Sequence, residues 1–554
     1  MKYIHLLFAL LLTAFVPHTD VATAQDIPPQ AVPITQSIRG TVVDLDTQAP
    51  LIGVNVIVLN TNPLKGTSSD VNGRFAITDV PVGRATLQVT YIGYEPLVLS
   101  DMLITAGKEL VLALELQESV IETEGVVVVA DEFEGVAVNE MATVSARSFS
   151  VEQTQRYAAS ISDPARMAQT FAGVTGGGDD LLNDIVVRGN APKGLLWRLE
   201  GIEVPNPNHF GGEGASGGGV SMLSSSTLSR SDFFTGAFPA EYGNAASGVF
   251  DLFLRNGNAV KREYAFQIGV LGIDAAIEGP FSADYNGSFL INYRYSTLGV
   301  LNNFGVLPDE SIQYQDLSFK FNFPTQKGNS FTLFGLGGDA QDIYGSAVAD
   351  STQWVDPIDD AINGKYAPRV GILGASYLHL LGPNTYLKAI GMISGERRTD
   401  DELLLIPSED YRGRILEQQD TRNAAYRASL QLNHKFNARQ TLQVGIVGSQ
   451  LSYNLVDRIR DSINGPLINF LDQKGSTNML NSHVQLKLRP SARLTLTPGV
   501  HYTYFAFNKN HSLEPRIGAA WRLSETQTLS FGVGLHTRTE STALYLAERT
   551  NAAG

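Results

Sequence analysis

The chain has 554 residues, 43% of them hydrophobic, with 53 glycines, no cysteine and a formal net charge of −15. That length exceeds one ordinary domain. The missing cysteines exclude disulfides, thiolate metal sites, cysteine nucleophiles and a lipidated N-terminal cysteine, and the acidic balance argues against a nucleic-acid partner, which needs a basic face to displace counterions.

Met1 and Lys2 lead into an apolar stretch from Ile4 to Val16, and Ala22-Thr23-Ala24 supplies the small-x-small pattern that a signal peptidase cuts before Gln25. The stretch is too short to span a membrane, so residues 1–24 read as a removed export signal. A linker with Pro28, Pro29 and Pro33 then reaches a first β unit at residues 36–117. In it Val54, Val56 and Val58 alternate with Asn55, Ile57 and Leu59, a strand buried on at least one face. Turns at Asp70-Val71-Asn72-Gly73 and Pro81-Val82-Gly83 separate further short strands, which predicts a small β-sandwich. Arg39-Gly40-Thr41-Val42-Val43-Asp44, Val71-Asn72-Gly73-Arg74-Phe75 and Tyr91-Ile92-Gly93-Tyr94 resemble the carboxypeptidase-regulatory-like domain, a non-catalytic module.

A valine run, Gly125-Val126-Val127-Val128-Val129-Ala130, follows, flanked by acidic residues. It reads either as the first buried strand of the next unit or as an extended segment offered to another protein's sheet edge. From residue 124 to 258 strands alternate with glycine-rich loops: Ile185-Val186-Val187-Arg188-Gly189, Leu195 to Val204, a loop from Pro205 to Gly219, and finally Glu241-Tyr242-Gly243-Asn244-Ala245-Ala246-Ser247-Gly248-Val249-Phe250. By themselves these residues indicate a mixed α/β domain with long loops. In wording and order they resemble the plug of TonB-dependent outer-membrane receptors, with Glu200-Gly201-Ile202 where an Asp-Gly turn is usual.

From residue 262 onward the pattern becomes periodic. Phe289, Ile291, Tyr293 and Tyr295 alternate with Leu290, Asn292, Arg294 and Ser296, and Leu317, Phe319, Phe321 and Phe323 with Ser318, Lys320 and Asn322. Strands that are apolar on one face and polar on the other, joined alternately by short turns and long polar loops, predict an antiparallel transmembrane β-barrel. A secreted β-solenoid or adhesin is the competing architecture. The hairpins number about twelve strands, against about 22 in a plugged transporter barrel, and an unclosed sheet would leave backbone groups unpaired in lipid. The expectation is a partial barrel from a chain that continues past Gly554.

Several motifs are declined. Gly212-Glu213-Gly214-Ala215-Ser216-Gly217 matches a dinucleotide fingerprint and Gly214-Ala215-Ser216-Gly217-Gly218 a nucleophile elbow, but both sit in a glycine loop that follows no strand. The nine histidines show no metal spacing, and Asp179, Asp180 and Asp184 do not follow the order of a calcium loop. No catalytic residue, metal or cofactor is expected.

The resemblance to TonB-dependent receptors with an N-terminal carboxypeptidase-regulatory-like extension implies a mainly β, outer-membrane protein that imports a large scarce solute, whether siderophore, cobalamin, glycan or peptide. It implies a TonB-type energy-coupling protein in the periplasm as partner, engaging Gly125, Val126, Val127, Val128, Val129 and Ala130, besides outer-membrane lipids; a surface lipoprotein, as in glycan-importing relatives, is left open by the residues. The plug loops Thr175 to Asn183 and Pro205 to Gly219 are expected to face the outer lumen, with Asn206, Asn208 and His209 as polar ligand contacts. An outer-membrane receptor or adhesin that binds without importing is the alternative; a passive porin would need neither plug nor coupling segment.

Overall fold

The computed structural model describes residues 33–546 except 121–136, 150–162, 179–181, 213, 225, 270–271, 305–310, 326, 346–360, 408–411, 461, 463 and 525–526. The proposed signal peptide, the valine run and the chain terminus lie outside the described residues.

The N-terminal unit is the expected sandwich. In one sheet Thr35–Asp44 lies between Arg74–Pro81, antiparallel, and Leu110–Leu116, parallel; the other has the order Lys65–Ser68, Asn55–Leu59, Gly83–Thr90, Leu97–Ile104. Alternation puts Ile38, Val42, Phe75 and Ile77 of the first sheet into one buried cluster with Val56, Val58, Leu87 and Val89 of the second. Each such side chain contributes roughly 1.5–3 kcal/mol by leaving water. Asn55 is exposed and Ile57 and Leu59 are half-buried, so that strand is fully buried on one face only. The Asp70 turn closes on itself, the Asp70 carboxylate accepting from the Asn72 and Arg74 amides at 2.8 Å each, with Gly73 at φ 71°.

The second unit is built on a five-stranded sheet in the order Ile202–Glu203, Leu195–Leu199, Gly248–Leu252, Ser231–Phe234, Ala146–Phe149. Every residue of Leu195–Leu199 and Gly248–Leu252 is buried, as expected of central strands covered on both faces. Trp197 stacks on Phe250 with centroids 4.3 Å apart, and Phe233 packs at 4.4 Å on the other side of the cluster. The departure at Glu200-Gly201 is accommodated by a tight hairpin: both residues have positive φ, 56° and 92°, between paired strands, the geometry of a two-residue hairpin loop.

The third unit is one antiparallel sheet of thirteen strands, each paired with its neighbour in sequence from Glu263–Ile268 to Thr528–Gly534. Hairpin counting expects about twelve. The connection from Ile268 to Ile273 passes through Gly269, Val270, Leu271 and Gly272, an apolar turn without the polar signal that marks the others. Central strands are long, with 26 residues in Arg412–Asn437 and 25 in Leu467–Ser491. Thr441, Gln443 and Ser449 are buried on one face while Ile446 is exposed on the other; His483, Gln485, Lys487 and Arg489 are buried while Leu480 and Val484 are exposed. The apolar face is the outer one, and the polar face curls around the second unit. Among the described residues the first and last strands pair with no further strand.

Candidate functional site

The second unit fills the concave side of the wall, and the contact between them combines one apolar patch with isolated buried charges. Phe334, Leu336, Ile372, Ile390 and Met392 of the wall join the cluster formed by Trp197, Ile202, Met222 and Phe250. Around that patch, Lys320 donates to the Glu200 carboxylate at 2.9 Å and to the Leu254 carbonyl at 2.7 Å. Arg427 meets Glu203 at 3.2 Å, and Arg516 donates to the carbonyls of Pro239 and Tyr242 at 2.8 and 2.7 Å. Gly243, in the terminal Tyr-Gly-x-Ala motif, lies so close to the His501 ring that a Cβ there would overlap it. That glycine is required by close approach.

Inside the plug a charged group ties its first described segment to its sheet. Arg198 lies 3.3 Å from Glu241 and 3.6 Å from Asp251, with its guanidinium over the Tyr242 ring at 4.6 Å. Tyr242 donates to Asp251 at 2.8 Å, and Asn139 donates to the Tyr242 hydroxyl at 2.6 Å. The amides of Val138 and Asn139 both donate to Asp232 at 2.7 Å. Burial pushes the Asp232 carboxyl up to about 7 against these two amides, with nearby Asp251 adding to the rise.

The three loop residues expected to touch ligand are together, but turned inward. Asn206 donates to the Gly217 carbonyl at 2.7 Å, Asn208 donates to the Asn206 side chain at 2.6 Å and accepts from Asn183 at 2.9 Å. His209 bonds Asp316 of the wall at 2.9 Å, and Arg294 reaches the same carboxylate oxygen at 2.7 Å. Asn208 and His209 are 2% and 0% exposed, and burial lowers the His209 imidazole, so the neutral ring donates to Asp316. His209 ties the loop to the wall, while the side chains of Asn206 and Asn208 bond within the plug. Asn208 and His209 are buried, away from the surface where ligand contacts are expected, and Asn206 is half-buried. Asp184 is also used internally, accepting from the amides of Ser216 and Gly217 and from the Ser216 hydroxyl, so the elbow-like serine is a packing residue. Asp179 and Asp180 lie outside the described residues.

A second charged contact, unexpected from the sequence, lies at the rim of short turns. Here the N-terminal sandwich meets the wall, with Pro50 against Gly328. Lys435 pairs with Asp44 at 2.7 Å and Glu118 at 2.9 Å. Lys487 pairs with Asp46 at 2.9 Å, donates to the Gln117 side-chain carbonyl at 3.1 Å and reaches Glu140 of the plug at 3.4 Å. Arg489 donates to the Glu118 carbonyl at 2.7 Å and pairs with Glu95. Burial works to raise Asp46, but the Glu140 hydrogen bond and the two ammonium groups overcome it and hold its carboxyl below the usual range. Burial and the same hydrogen bond push Glu140 well up, so Glu140 keeps the proton and Asp46 the charge. The available signal was the inward row His483, Gln485, Lys487, Arg489, whose cations on a polar face require anionic partners.

Residues 38–128 match the family model of the CarboxypepD_reg-like domain. No curated protein matches the chain. Among solved structures, the siderophore receptor PirA from Acinetobacter baumannii aligns with a TM-score of 0.53 at 15% identity, over 72% of this chain and 61% of that one. The outer membrane transporter YddB from Escherichia coli aligns with a TM-score of 0.51 at 14% identity, over 74% and 63%, and the siderophore receptor PirA from Pseudomonas aeruginosa with 0.50 at 15%, over 72% and 63%. The chain thus spans less than two thirds of the length of each of these three structures. At these identities the likeness is one of fold: a plug held by a wall of antiparallel strands, as the resemblance to TonB-dependent receptors implies.

Proposed function

From a chain that couples a CarboxypepD_reg-like domain to the fold of outer-membrane receptors, we propose active import of a large solute across the outer membrane, energised from the periplasm through Gly125 to Ala130. The observation that carries this reading is the plug. It occupies the concave, polar side of the wall and is seated there by single buried ion pairs around a modest apolar patch. A solute can pass only if the plug moves, and the outer membrane holds no nucleotide or ion gradient to move it. Force must arrive by contact, and a β-branched valine run ahead of the plug in sequence suits strand addition to a partner's sheet. The chain is exported by residues 1–24 and faces lipid with its apolar strand surface. The solute is a siderophore, cobalamin, glycan or peptide, and where it is a glycan a surface lipoprotein is a further partner.

The test has two steps. A deletion strain is grown on defined sources of chelated iron, cobalamin, glycans and peptides, and the source it fails to use is supplied in labelled form. Val127→Pro removes an amide donor from the proposed added strand, so uptake falls to the deletion level while label still binds to whole cells. Uptake at the parental rate places coupling elsewhere. Binding without uptake in the parent strain itself identifies a receptor that does not import.

A further inference from the structure

The rim contact joins three bodies at one cation. Lys487 is 4% exposed and touches Asp46 of the sandwich and Glu140 of the plug while belonging to the wall. Its neighbour across the inner face, Lys435, holds Asp44 and Glu118 of the sandwich, and Asn433 donates to Glu140 at 3.0 Å. Glu118 and Glu140 flank the stretch 121–136, so both sides of that stretch are fastened to the same part of the wall. Arg489, two residues beyond Lys487, touches the sandwich alone, through Glu95 and the Glu118 carbonyl.

We propose that Lys487 is the shared clasp of an intramolecular docking surface, by which the acidic edge of the N-terminal sandwich caps the short-turn mouth of the wall and holds the leading segment of the plug. A buried cation with two carboxyl partners from different bodies makes their attachment interdependent. Loss of Lys487 or of Asp46 leaves the opposite charge uncompensated at low dielectric, and either loss weakens the hold on Glu140, which keeps its proton beside them. The proposal deepens the import reading and rests on it for purpose: a pull on the stretch between Glu118 and Glu140 loads the clasp from both sides, so the cap and the leading segment of the plug come free together.

Hydrogen–deuterium exchange on the full chain in detergent tests the clasp without solute or periplasmic partner, and so independently of import. Lys487→Gln is expected to speed exchange about tenfold or more both at Leu45 to Ala49 in the sandwich and at Val138 to Met141 in the plug. Asp46→Asn, which leaves the wall strands intact and guards against a folding defect, is expected to do the same. Arg489→Gln is expected to speed exchange at Tyr94, Glu95 and Glu118 while Val138 to Met141 keep the parental rate. If Val138 to Met141 exchange at the parental rate in both Lys487→Gln and Asp46→Asn, the shared clasp is overturned. Equal acceleration at Val138 to Met141 by Arg489→Gln overturns it too, since general loosening would then explain the result. Failure of import with the exchange pattern intact removes only the purpose assigned to the clasp.

Discussion

Lys320 is a buried cation on the inner face of the wall, answered by one carboxylate and one carbonyl of the plug. Lys320→Met strands the Glu200 carboxylate, and the plug is expected to lose about 3–5 kcal/mol of seating stability. Adding Glu200→Gln removes the stranded charge and recovers part of the loss. Both are read from the urea midpoint of Trp197 fluorescence, with Trp354→Phe and Trp521→Phe leaving one indole of the three in the chain. A midpoint unchanged by Lys320→Met would remove this pair from the forces that seat the plug. Gly243→Ala acts by sterics instead. Its added methyl meets the His501 ring, and overpacking of this kind costs about 1–3 kcal/mol. The same midpoint is expected to fall, with the spectrum of the unfolded form unchanged.

At the level of the strand, period-2 alternation decides which side faces outward. Ile446 lies in a row with Leu430, its partner on one neighbouring strand, and Ser482 on the other, and both Leu430 and Ile446 are exposed on the outer face. Ile446→Lys is expected to destabilise the wall by about 2–4 kcal/mol if the row is near the bilayer midplane, with less effect towards either rim. Refolding into lipid vesicles, followed by heat-modifiable gel migration, measures it. Tolerance of this lysine with no loss of refolding would show that the face does not contact hydrocarbon. The outward side of the strand was readable from the sequence because alternation is local. The connection between Ile268 and Ile273 carries no polar turn signal, since its two glycines enclose Val270 and Leu271.

For the molecule as a whole, pH acts on the plug with a definite sign. The Asp232 carboxyl is raised from 3.8 to about 7 by burial, and burial raises Asp163, Asp251 and Glu140 as well. A carboxyl that titrates higher when folded holds its proton more tightly in that state. Its contribution to stability is complete below the unfolded pKa and is lost as pH rises through the folded one. For Asp232 that window runs from about 4 to about 7. The Trp197 urea midpoint is therefore expected to be lower at pH 8 than at pH 5.5. Asp46 opposes this at the rim, since its lowered carboxyl adds stability that is lost only in acid. An equal midpoint at the two pH values would show that Asp232 is hydrated or paired in solution.

What the sequence by itself determined follows from local periodicity and turn chemistry. Alternating valines at Val54, Val56 and Val58 made a sandwich strand, paired polar and aromatic faces made wall strands, and Asp70 to Gly73 made a turn. Motif wording added the resemblance of the middle unit to a plug. Partnership between distant charges was decided only by the tertiary structure. His209 meets Asp316 across 107 positions and Lys487 meets Asp46 across 441. An inward cation shows in sequence only that it needs an anion. Which carboxylate supplies the charge depends on how far the sheet curls and where the plug and sandwich come to rest within it. The same holds for Asn208 and His209: a polar glycine-rich loop reads as exposed, yet these two side chains are buried, because Asn183 and Asn206 of the plug and Asp316 of the wall supply the hydrogen-bond partners that water would otherwise provide.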